Sequence, residues 1–105
     1  MERITPVWLY SKVNVEELKD NLSKTECKYK QIILEYLKNL NFRTAYTTER
    51  VFDFVKNKET DIPMVAYEDG KYYWDDREIY YFEKYNLKLN DNFIQYVIKK
   101  MEDIK

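Results

Sequence analysis

The chain has one thiol, Cys27, in the run Ser23-Lys24-Thr25-Glu26-Cys27-Lys28-Tyr29-Lys30. A thiolate there could attack a disulfide and be released by an external thiol. Lys24, Lys28 and Lys30 would favour the anion, and Glu26 would oppose it. With Cys 1 in the composition, only a monothiol route is open and no intrachain disulfide can form. With His 0, no Ser/His, Cys/His or histidine-metal site can be built. One thiol and no imidazole also exclude a structural zinc site within the monomer. The only glycine, Gly70, is too little for a phosphate-binding loop. Asp75, Asp76 and Glu78 read as an acidic helix start rather than an acid/base pair.

These residues are carried on 105 positions, the size of one domain, 1–105. With 45% hydrophobic and 35% charged residues, the chain has enough apolar surface to fold. The net charge of −1 gives no electrostatic basis for nucleic-acid binding. No apolar run is long enough to cross a membrane. The start MERITPV lacks a secretory signal, so cytoplasmic residence is expected.

Residues 4–11 (ITPVWLYS) form an apolar run that predicts the first strand. Asn14 with Glu17 is a capping-box pair, and Ser23 with Glu26 is a second. The second predicts a long helix with a stripe at Tyr29, Ile32, Ile33, Tyr36, Leu37 and Leu40, stopping near Asn41. On that helix Cys27 falls roughly opposite the stripe. The alternation in residues 42–47 predicts a strand, and Thr47 or Thr48 then caps a helix carrying Val51, Phe52 and Val55. Residues 61–67 and 71–74 predict a hairpin closed at Gly70. Asp75 with Glu78 opens another helix, and Asn90 opens the last one. The expected order is β-α-β-α-β-β-α plus a C-terminal helix. That makes an α/β mixed four-stranded sheet flanked by helices, its early strands paired in parallel across a crossover.

This order resembles the thioredoxin fold in its shorter, glutaredoxin-type form. Lys24, Cys27 and Tyr29 resemble the family's upstream Lys, nucleophilic Cys and motif Tyr. Thr60-Asp61-Ile62-Pro63 resembles its Thr-Val-Pro, with one residue inserted. The resemblance implies a cis Pro63 facing the thiol, Lys24 holding a glutathione carboxylate, Tyr29 in the binding site, and Ile62 and Pro63 on the glutathione backbone. It implies thiol-disulfide exchange through Cys27, with glutathione or a protein thiol or disulfide as partner and no metal. The chain departs from the pattern at Lys28 and Lys30, where the family has Pro and a second Cys, and at Tyr73-Trp74, where it has Gly-Gly. Residues 12–26 separate the first strand from Cys27, where the family needs only a few. Alternatively, Tyr10-Ser11-Lys12 matches the family's strand-to-loop junction, and Cys27 is a passenger. The competing reading is a redox-inactive binding module or inhibitor on the same scaffold. It would meet a protein partner through Tyr72, Tyr73 and Trp74, because Tyr and Trp are frequent interface anchors.

Overall fold

A computed structural model of the chain describes residues 1–9 and 12–103, the side chain of Asp103 excepted. The elements are β1 (Glu2–Arg3), α1 (Val15–Asp20), α2 (Lys30–Leu37), a 3₁₀ turn (Leu40–Phe42), β2 (Arg43–Asp53), β3 (Lys58–Glu68), β4 (Tyr72–Asp75), α3 (Asp76–Tyr85) and α4 (Asp91–Asp103). The strands form one mixed sheet in the order β1-β4-β3-β2, flanked by helices. The β1–β4 pair is parallel, with Glu2 opposite Tyr72. The β2–β3 and β3–β4 pairs are antiparallel hairpins.

Two of the helix starts follow the sequence rules. Asn14 accepts the Glu17 amide at 3.0 Å to begin α1. Asp75 caps α3, and Glu78 reaches back to the Asp75 amide at 3.1 Å, a complete capping box. The core gathers around Trp74, which is 1% exposed. Its ring lies 6.0 Å from Tyr36, 5.8 Å from Phe42, 6.1 Å from Tyr67 and 6.0 Å from Phe93. Its indole N–H donates to the Leu37 carbonyl at 3.0 Å, so the one polar atom of the ring is satisfied.

Several expectations are corrected. The run at residues 4–11 is not a strand where it is described, and Tyr10 and Ser11 lie outside the described residues. Ile4, Val7 and Leu9 are buried all the same. Pro6 fixes φ and lacks an N–H, while the Thr5 hydroxyl takes the Val7 amide at 3.2 Å. The segment is tied to the α3–α4 connection instead: Asn90 N–H donates to the Ile4 carbonyl at 2.8 Å.

The helix expected from Ser23 begins only at Lys30. The Ser23 hydroxyl accepts the Thr25 amide at 3.0 Å in a tight local turn. Its backbone is drawn away, N–H to the Tyr85 carbonyl and C=O to Asn86 Nδ2. The stripe shifts accordingly to Ile33, Leu34, Tyr36 and Leu37, and Leu40 is exposed.

The helix expected from Thr47 or Thr48 does not form. β2 runs on to Asp53 and turns directly into β3. The expected parallel crossover is therefore a long antiparallel hairpin. Val51, Phe52 and Val55 fit a strand and its turn as well as a helix, and pairing with β3 decides between them. The Thr47 hydroxyl does accept the Glu49 amide at 3.0 Å, but within a register irregularity between Tyr46 and Arg50. Pro63 sits within β3 opposite Arg50, and its peptide bond is trans. β4 covers only Ala66, Tyr67 and Glu68 of β3, so β3 has one open side at the residue without an N–H.

Gly70 closes the β3–β4 turn at φ +96°, with nothing within 4 Å of where a Cβ would stand. Gly70→Ala is expected to cost about 1 kcal/mol through backbone strain alone. Urea unfolding of the variant checks this, and an unchanged midpoint would refute it.

Candidate functional site

The loop from α1 to α2 carries the thiol, and the α3–α4 connection holds that loop in place. Lys88 N–H donates to the Asn21 carbonyl at 2.8 Å, and Ser23 N–H to the Tyr85 carbonyl at 3.2 Å. Asn86 is the hub. It ends α3 in the left-handed region at φ 56°, a conformation that Asn tolerates. Its amide donates to the Ser23 carbonyl at 3.0 Å, and its Oδ1 accepts from Lys30 Nζ at 2.6 Å. Between these segments lies a cleft of about 520 Å³. Phe82, Leu87 and Leu89 form its buried floor, Cys27 stands in its wall, and Asp20, Glu26, Asp91 and Lys88 border it.

Cys27 is half-buried. Its carbonyl accepts the Lys30 amide at 3.1 Å, so it lies ahead of α2 rather than inside it. Glu26 pairs with Lys30 at 3.6 Å. Lys24 is on the same loop but exposed and outside the cleft lining. Tyr29 turns to a different surface, with Lys28 Nζ 5.4 Å from its ring. Ile62 and Pro63 belong to the β2–β3 arm, and β3 contributes nothing to the cleft that Cys27 lines. The five residues expected to share one glutathione site thus fall on a cleft wall, an exposed loop, a helix groove and a strand. Among the described residues, no cluster of three or more His, Cys, Asp or Glu could hold a metal. No helix there is long and apolar enough to cross a membrane.

The aromatic segment expected to meet a partner is largely interior. Tyr72 is 3% and Trp74 1% exposed, and only Tyr73 is half-exposed. A partly exposed apolar groove lies elsewhere. α2 and α4 leave a groove of about 400 Å³ lined by Tyr29, Ile32, Ile98 and Met101, with Glu35 and Glu102 beside them. It adjoins a second hollow of about 310 Å³ that shares Glu35 and Met101. Ile32 is 37% exposed.

Sequence reasoning also missed two aspartates that fasten the hairpin turns. Asp53 Oδ1 accepts the amides of Val55 and Lys56 at 2.9 and 2.8 Å. Its Oδ2 accepts the hydroxyls of Tyr80 and Tyr85 from α3. Asp69 repeats the device at the next turn: Oδ1 takes the amides of Lys71 and Tyr72, and Oδ2 takes the Tyr36 hydroxyl. Burial alone would raise the Asp53 carboxyl. The Tyr80 and Tyr85 hydroxyls and the two amides outweigh it and bring the pKa down to about 2. Burial, and then the hydrogen bond to Asp53, push the Tyr80 hydroxyl up to about 12. Tyr81 is pushed up to about 12, chiefly by burial. It donates to the Phe52 carbonyl at 2.6 Å and accepts the Phe54 amide at 2.8 Å. The sequence signal was there: an Asp two and three residues ahead of turn amides, followed by Asn57 or Gly70 at positive φ.

The chain matches no family model, no curated protein and no solved structure.

Proposed function

We propose that this chain is a redox-inactive protein-binding module, an adaptor or inhibitor that works by contact rather than catalysis. The observation that carries this reading is the half-exposed apolar groove between α2 and α4. Apolar side chains gathered along one groove, rather than scattered singly, give a partner a surface to grip. The surroundings of Cys27 support the same reading. The proline strand that would hold a glutathione backbone contributes nothing to its cleft.

The test is turnover. Incubated with a glutathionylated peptide and free glutathione, the protein is expected to release no more peptide than buffer does. Cys27→Ser is expected to behave identically in that assay and to keep the same melting temperature. Turnover that disappears in Cys27→Ser would instead establish thiol-disulfide exchange, with Lys24, Tyr29, Ile62 and Pro63 to be tested next as glutathione contacts.

A further inference from the structure

We draw no further inference here: the strongest candidate, the outer edge of β2, whose residues 43–50 are all exposed, carries nothing, because register irregularities interrupt the strand on either side of Tyr46 and nothing in the structure shows what would pair with it.

Discussion

Trp74→Ala is expected to lower the free energy of unfolding by about 4 kcal/mol, within the range for deleting a buried large aromatic. Small domains have only about 5–15 kcal/mol in total, so the variant should be marginal. Four rings lie within 6.1 Å of this indole, and they come from α2, the 3₁₀ turn, β3 and α4. No single neighbour can move to fill the hole without leaving another contact. The Leu37 carbonyl would lose its indole donor as well. Trp8 is the control. It is 43% exposed, with the Arg3 guanidinium 4.7 Å from its ring. Trp8→Ala should cost under about 1 kcal/mol. Urea unfolding followed by far-UV circular dichroism compares the two. Equal losses would mean that the core is not centred on Trp74.

The contrast between these tryptophans shows what was legible in the sequence. Both lie in short apolar runs, Val7-Trp8-Leu9 and Tyr72-Tyr73-Trp74. Alternation within the second run buries Tyr72 and Trp74 and leaves Tyr73 half-exposed. The strand period was therefore the better guide there than the interface habit of tyrosine and tryptophan. Tyrosine abundance has a similar answer. The hydroxyls of Tyr36, Tyr80, Tyr81 and Tyr85 close backbone turns and strand ends from the helices.

Local signals succeeded where the bond stayed local, as at Asn14 and Asp75. They failed where a distant partner competed. Ser23 has the residue types of a capping box, yet its backbone is bonded to Tyr85 and Asn86, which no window around residue 23 contains. The second helix failed for a related reason. The stretch Thr47 to Val55 is rich in β-branched and aromatic residues. Whether it coils or extends was decided by β3. The sheet and its helices were thus readable as a class, but the crossover was not. The glutathione site is what the glutaredoxin resemblance implies, not something that spacing along the chain establishes. It scattered because Pro63 depended on that crossover to come back towards Cys27.

Asp53→Asn should cost about 3 kcal/mol at neutral pH, because a charge-assisted network loses its anion while its donors stay buried. The side chain is fully buried and receives four donors, two amides and two hydroxyls. An amide in its place offers one acceptor oxygen and turns N–H groups towards the rest. The pH dependence separates charge from shape. The Asp53 pKa is lowered from 3.8 to about 2 in the fold. Its contribution is therefore fully present above the unfolded value, and it is lost as pH falls through the folded one. The stability gap between the natural chain and Asp53→Asn should be constant at neutral pH and shrink between about pH 4 and pH 2. Asp69 is also held low: burial raises it, but the Tyr36 hydroxyl and turn amides outweigh that. Asp76 is raised, chiefly by burial, and so acts in the opposite sense. Both remain in the two proteins, so the gap isolates Asp53. Denaturant titrations across that range measure it. A gap that stays unchanged down to pH 2 would show that the carboxylate's charge contributes nothing. The clasp between α3 and the β2–β3 turn would then hold by shape alone.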